Sequence, residues 1–320
     1  MVQRTVMAFW LRPNDAAAFD HLTTAALAEA LPAIDQPQAH APFLASGSML
    51  AAGSLFAAQP AALAVLRVGS EPSVDLLSLV VAEPFRCLGL ARELLNWIQQ
   101  QALPMGWQSL SLSYPLGHGS TTAMTSLTDP KLGWQWTEGL RLVHLNRSGA
   151  QSLVQRLTPL VQRLQRRQRF DLWPWAELAG DVRQQLGQQL QAPHWAWPTA
   201  EDRDARFACL DAGISTVLLD QGTPVGWLIA HRVGASLLRV TTWWVVPTHQ
   251  GQGTGLLLLE HAIRQALAVH PKYSSGCFGI AAENSSMLRL CTHLIEPLSS
   301  NVQRNQRCRL DLRANTKRTD

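Results

Sequence analysis

The residues best suited to chemistry are six in a row: Gln250, Gly251, Gln252, Gly253, Thr254 and Gly255. Glycines let a ligand come close to the backbone. An apolar stripe with helical spacing, Leu256, Leu259, Ile263 and Leu267, follows at once. The first amides of a helix have no partner inside it, and the helix dipole is positive there. A glycine-rich turn that feeds such a terminus suits an anion. Two common phosphate fingerprints do not match. G-x-G-x-x-G fails because Leu256 stands where the third glycine is required, and there is no Gly-Lys-Ser/Thr ending.

A strand must deliver the turn. Val240 to Val246 is rich in β-branched and aromatic residues and runs into Pro247. Before it, residues 215–220, 221–224 and 225–233 read as strand, tight turn and strand, and residues 275–282 read as a further short strand. The same succession fills the first half of the chain, at 54–58, 59–60, 61–68, 74–81 and 107–114. Aligning Arg86 with Gln250 sets an offset of 164 residues. At that offset Val81 meets Val245, Gly89 meets Gly253, and Gln101-Ala102-Leu103 meets Gln265-Ala266-Leu267 without a gap. The spacing is that of a whole domain, so the chain reads as a duplication. The expected division is 1–148 and 149–320, with a connecting helix at about 150–168. That helix carries Leu153, Leu157, Leu160 and Leu164 on one side and a solvated basic face of Arg156, Arg163, Arg166, Arg167 and Arg169.

Composition agrees with two domains. A chain of 320 residues is longer than one core usually supports. With 47% hydrophobic and 16% charged residues it has material for two cores. A net charge of +4 does not call for nucleic acid but suits a phosphate-bearing ligand. Cys87, Cys209, Cys277, Cys291 and Cys308 are odd in number and hold no C-x-x-C pair, so neither a disulfide framework nor a metal site is expected. No long apolar stretch suggests a membrane span, and the N-terminal apolar run is soon broken by Arg12, Pro13 and Asn14. A cytoplasmic protein, monomeric or weakly dimeric, is the simplest expectation.

After Val245-Val246-Pro247, the pattern Q/R-x-x-G-x-G/A at Gln250 to Gly255 resembles the pyrophosphate loop of the GNAT superfamily of N-acetyltransferases. Arg86-Cys87-Leu88-Gly89-Leu90-Ala91 satisfies the same pattern. The resemblance covers roughly Ser54 to Trp134 and Ser215 to Leu312. It implies an α/β (α+β) fold of two tandem GNAT-type domains, each a mixed, mostly antiparallel sheet flanked by helices. It also implies acetyl-CoA as co-substrate, an amine as acceptor, and direct transfer between them without a metal. A non-catalytic acetyl-CoA-binding or interaction protein of the same fold is the alternative.

Carried onto this chain, the resemblance lays the pantetheine arm along Trp243, Trp244 and Val245 and the pyrophosphate on Gln250, Gly251, Gln252, Gly253, Thr254 and Gly255. A possible second site has Val81, Arg86, Gly89 and Ala91. The family often continues with N-x-x-A-x-x-L-Y. Asn284 matches its first position, and Cys291 stands where the tyrosine acid is usual. Cys291 is therefore either a proton donor or a small buried residue. Glu283 or His249 is the candidate base that relieves the attacking amine of its proton. Fewer bulky residues in the loop mark the second copy as the working one. Acceptor loops are expected near Leu31 to Leu55 and Ala192 to Ile214, and Trp173/Trp175 and Trp195/Trp197 read as pairs of rings packed on one buried strand face.

Overall fold

The computed structural model describes residues 6–35, 48–69, 72–166, 170–189, 210–233, 236–269 and 272–315. Its first strands are β1 Val6–Trp10, β2 Met49–Phe56, β3 Gln59–Val68, β4 Ser73–Val81, β5 Ser109–Pro115 and β6 Trp134–Asn146. They are followed by β7 Phe170–Pro174, β8 Thr216–Asp220, β9 Thr223–Val233, β10 Leu237–Val245, β11 Ser275–Ile280 and β12 Asn301–Asp311. The helices that matter here are α1 Leu90–Ala102, α2 Arg147–Gln165, α3 Gly180–Gln189, α4 Thr254–Ala268 and α5 Ser285–Leu290.

The chain divides into two compact units, Met1–Gly139 with Asn305–Asp320, and Leu140–Arg304. In the first, the strand order is β1-β2-β3-β4-β5-β12, and in the second it is β7-β8-β9-β10-β11-β6. In each unit the neighbours are antiparallel except one central pair, β4 with β5 and β10 with β11. These are mixed, mostly antiparallel sheets flanked by helices. The sheet of each unit is closed by a strand from outside its own repeat. β12 pairs with β5 from Asn305 to Asp311, and β6 pairs with β11 from Arg141 to Asn146. Hydrogen bonding thus places residues 141–146 in the sheet of the second unit and 305–311 in that of the first.

Local chemistry repeats at the offset of the sequence. The β2–β3 and β8–β9 hairpins turn on Ala57-Ala58 and Gln221-Gly222, all with positive φ (50°, 64°, 50° and 82°). Such turns match the twist of the flanking strands. The middle strands are buried on both faces. Ala61 to Leu66 and Val225 to Ala230 lie under helices on one side, and under other chain on the other. In the first unit α1 buries Leu90, Leu94, Leu95 and Ile98 against the sheet, each contributing about 2 kcal/mol of apolar burial.

Three expectations need correcting. The stripe of α4 is not Leu256, Leu259, Ile263 and Leu267. Leu257, Leu258, Leu259 and Glu260 are consecutive and all buried, because α2 packs against this helix in addition to the sheet. Glu260 meets Thr158 of α2 at 3.3 Å and Arg264 at 2.5 Å. On α2 the buried positions are Leu153, Val154, Leu157 and Val161, while Leu160 is 41% exposed. Trp173 and Trp175 do not share a buried strand face: Trp173 is 42% exposed on the edge strand β7, and Trp175 lies in the turn after it, against the cluster of Trp227 and Leu186. Trp195 and Trp197 lie outside the described residues, as does most of the segment Ala192 to Ile214.

Candidate functional site

The site is built by two neighbouring strands that part company. β10 and β11 pair in parallel only from Leu237/Ser275 to Val240/Phe278. β10 then takes an extra residue, Thr241, relative to β9, and continues pairing with β9 as far as Val245. Bulges re-aim strands in this way. From Thr242 to Val245 the edge of β10 that faces away from β9 has no strand partner among the described residues. The first unit does the same thing: β4 pairs with β5 only from Ser73 to Leu76, takes an extra residue at Leu77, and runs on with β3 to Val81.

After the open edge comes the loop. Pro247 to His249 form a tight helical turn, Gln250 is extended (φ −69°, ψ 156°), and Gly253 takes a left-handed conformation (φ 82°, ψ 0°) as the N-cap of α4. The first copy repeats each value closely: Arg86 has φ −66° and ψ 156°, and Gly89, the N-cap of α1, has φ 84° and ψ 2°. Cys87 stands at φ 63° where Gly251 stands at 74°, so the bulkier loop adopts the same path with a non-glycine residue in left-handed space. Neither helix has a side-chain cap. In the second copy the amides of Gly251, Gln252 and Gly253 donate to no carbonyl among the described residues. A phosphate fits that set of donors without displacing a bond.

The rest of the loop is braced. Gln250 Nε2 donates to the carbonyl of Val245 at 2.8 Å, as Arg86 Nε donates to that of Val81 at 3.3 Å. The first residue of the motif therefore ties the loop back to the end of its strand in both copies. Thr254 Oγ1 donates to the carbonyl of His249 at 2.7 Å and Gln252 Nε2 to that of Thr248 at 3.0 Å. The indole of Trp243 donates to the carbonyl of Gly255 at 3.0 Å, joining the strand to the first turn of α4. Trp244 points the other way and stacks on Trp227, with ring centroids 4.5 Å apart. Ala91 lies in the first turn of α1.

The candidate acid–base residues lie in different surroundings. His249 has both ring nitrogens engaged, Nε2 with Asp220 at 2.9 Å and Nδ1 with Thr248 at 3.0 Å. Asp220, which the sequence reading did not single out, is buried. The signal was present: at the repeat offset the positions of Asp220 and His249 hold Phe56 and Phe85, which pack ring to ring at 5.4 Å. Glu283 is exposed in the turn after β11, beside Asn284, whose Oδ1 accepts from the amide of Met287 at 3.0 Å and caps α5. Both residues follow the C-terminal end of β11, the end of the parallel pair at which β10 enters the loop. Cys291 is fully buried in the core, at the start of a π-helical turn, and burial pushes its thiol up to about 11. Of the two tyrosines, Tyr114 meets Thr125 at 3.3 Å and Tyr273 donates to Asp211.

No helix among the described residues is long and apolar enough to cross a membrane. Residues 181–280 match the family model of the acetyltransferase (GNAT) family. A search of curated proteins finds no match. Among solved structures, the chain is similar to a tandem GNAT protein from the clavulanic acid biosynthesis pathway, with TM-score 0.66 and 14% identity over 96% of this chain and 99% of that one. It is also similar to a GCN5-related N-acetyltransferase from Sphaerobacter thermophilus, with TM-score 0.64 and 14% identity over 96% of each chain. A glucosamine N-acetyltransferase region of a fungal multi-domain β-N-acetylglucosaminidase matches at TM-score 0.69 and 11% identity, over 97% of this chain and 38% of that one. Residues 181–280 thus carry the match to the GNAT family, and the chain as a whole has the fold of tandem GNAT proteins.

Proposed function

We propose that the second unit is an N-acetyltransferase site that takes acetyl-CoA as donor and a primary amine as acceptor. The observation that carries the reading is the pairing of an open β10 edge with a loop whose amides at Gly251 to Gly253 have no carbonyl partner among the described residues. In this reading the loop and the first turn of α4 hold the pyrophosphate, and the backbone of Trp243, Trp244 and Val245 holds the pantetheine arm. Asn284 borders the arm. The thioester carbonyl lies at the open edge, where a backbone amide stabilises the charge that develops on its oxygen. The amine nitrogen bonds to the carbonyl carbon, the carbon–sulfur bond breaks, and the thiolate leaves with a proton. Because His249 is held by Asp220 and Thr248, Glu283 is the base, receiving the amine proton directly or through a water.

Calorimetric titration with acetyl-CoA tests the site. Gly251→Asp is the informative variant. Its position is open, with nothing within 4 Å of an added Cβ, and Cys87 already occupies the same conformation in the first copy. Aspartate tolerates left-handed space, so the variant should fold and lose binding by charge alone. Unchanged binding in a folded Gly251→Asp protein sinks the assignment. If binding is intact, Glu283→Gln should lower kcat about 100-fold or more with acetyl-CoA affinity retained.

A second reading, acetyl-CoA binding without catalysis, is favoured by one observation: the residue at the family's acid position, Cys291, is fully buried. Tight acetyl-CoA binding with no acetylation across a panel of small amines and peptides would select it.

A further inference from the structure

One row of side chains in the second unit lies just before the point where β10 and β11 part. His231, Arg239, Cys277 and His144 are in register on the neighbouring strands β9, β10, β11 and β6. On the same strands Ala230, Leu238, Phe278 and Val143, each one position away, enter the core under α2 and α4. Alternation along a strand therefore turns the row to the opposite face of the sheet. Arg239 is exposed there, with neither a hydrogen bond nor a carboxylate partner among the described residues. His231 is buried, and its Nδ1 meets the hydroxyl of Thr241, the bulge residue, at 3.0 Å. Three of the four side chains in the row are basic and none is a carboxylate.

The first unit has the same row with its central pair neutralised. Arg67, Asp75, Ser111 and Arg309 are in register on β3, β4, β5 and β12. Arg67 and Asp75 stand at the repeat offset from His231 and Arg239, and they pair with each other at 3.4 Å. In the second unit an arginine holds the place of the aspartate, and the residue beside it is a histidine already tied to the bulge. The row has gained a cation and lost the carboxylate that would answer it. That charge is felt by its neighbour: burial pushes the Cys277 thiol up, and Arg239 opposes the rise.

The next row toward the opening is small and apolar. Gly279 lies opposite Leu142, and a Cβ added to Gly279 would stand 3.2 Å from the leucine Cδ2. Thr242, where the open edge begins, is three residues beyond Arg239, about 10 Å along the strand. We infer that the acceptor is an amine that also carries an anionic group, a carboxylate or a phosphate, several bonds from its nitrogen. The anion rests on Arg239, the chain between passes over Gly279, and the amine reaches the thioester at the open edge. Arg239 is then a specificity-determining residue. The inference rests on the acetyltransferase reading of the second unit and names its substrate class.

The test is initial-rate acetylation, followed by CoA release, of three amines that differ in their far group. 6-Aminohexanoate is anionic, 6-aminohexanamide neutral and 1,6-diaminohexane cationic. Phosphoethanolamine against ethanolamine repeats the comparison with a phosphate. The anionic amine should have a kcat/KM about tenfold or more above its neutral counterpart. A preference confined to one series identifies the anion as carboxylate or as phosphate. Arg239→Gln should abolish the preference, mainly through KM. Arg239→Lys should retain part of it, and Arg239→Glu should put the diamine first. Because the side chain is exposed, all three variants should keep Tm and acetyl-CoA affinity close to wild type. Acetylation without regard to charge, or a preference that survives Arg239→Gln, overturns the inference and leaves the acetyltransferase reading in place. Acetyl-CoA binding with no amine of the panel acetylated overturns both.

Discussion

His249 and Asp220 solve, with a polar pair, the packing problem that Phe85 and Phe56 solve in the first copy with two rings. Phe170 lies edge-on to His249 at 6.1 Å, so the pair sits in an apolar setting. Such a pair is costly to break on one side only. Asp220→Ala should therefore cost about 2–3 kcal/mol in urea unfolding, while Asp220→Phe with His249→Phe should recover most of it. A double variant less stable than either single one would mean that the pair does more than anchor the loop. Cys291 gives a second prediction. Its thiol is held at about 11, above the ordinary value of 9.0, by burial first and by Glu296 second. The folded state keeps a proton that the unfolded chain releases, so this stabilisation is whole below about pH 9 and is lost as pH rises through 11. Cys291→Ala should flatten the fall in stability over that window by on the order of 2 kcal/mol. The sequence offered Cys291 as either a proton donor or a small buried residue, and the fold buries it; it hid the Asp220–His249 pair, because residues so far apart in the chain meet only through the sheet.

At the scale of the element, the strand–turn–helix unit was legible from residue types alone. β-branched residues, a proline stop, glycines and an apolar run each speak for local structure. The parting of β10 and β11 was not, since a bulge at Thr241 has no sequence mark of its own. Nor was the double burial of α4, which depends on α2 arriving from elsewhere in the chain. The two loop glycines should differ. Gly251→Ala pays only for left-handed backbone, about 1 kcal/mol. Gly253→Ala pays that and also meets the Leu164 side chain, whose Cδ1 lies 3.0 Å from the added Cβ. Thermal unfolding should rank Gly253→Ala clearly below Gly251→Ala. Equal loss at the two sites would mean that Leu164 gives way freely.

At the scale of the whole molecule, the repeat announced two domains but not how their sheets are closed. A duplicated sequence carries the same strand signal at β6 and β12, and nothing local says which sheet each strand will join. Hydrogen bonding decides it: β12 completes the first unit, where Cys308 and Leu310 enter the same core as Leu94, Leu95 and Ile98. A residue near the end of the chain thus supports the beginning. Leu310→Ala removes a side chain that is 1% exposed and should cost about 2–5 kcal/mol. The loss belongs to the first unit. Hydrogen exchange should accelerate in β2 to β5, in particular at Ser109 to Pro115 opposite the altered strand, while the amides of β8 to β10 keep their protection. If exchange quickened first in β8 to β10, the last strand would belong to the second unit, and the two sheets would each be closed by their own repeat.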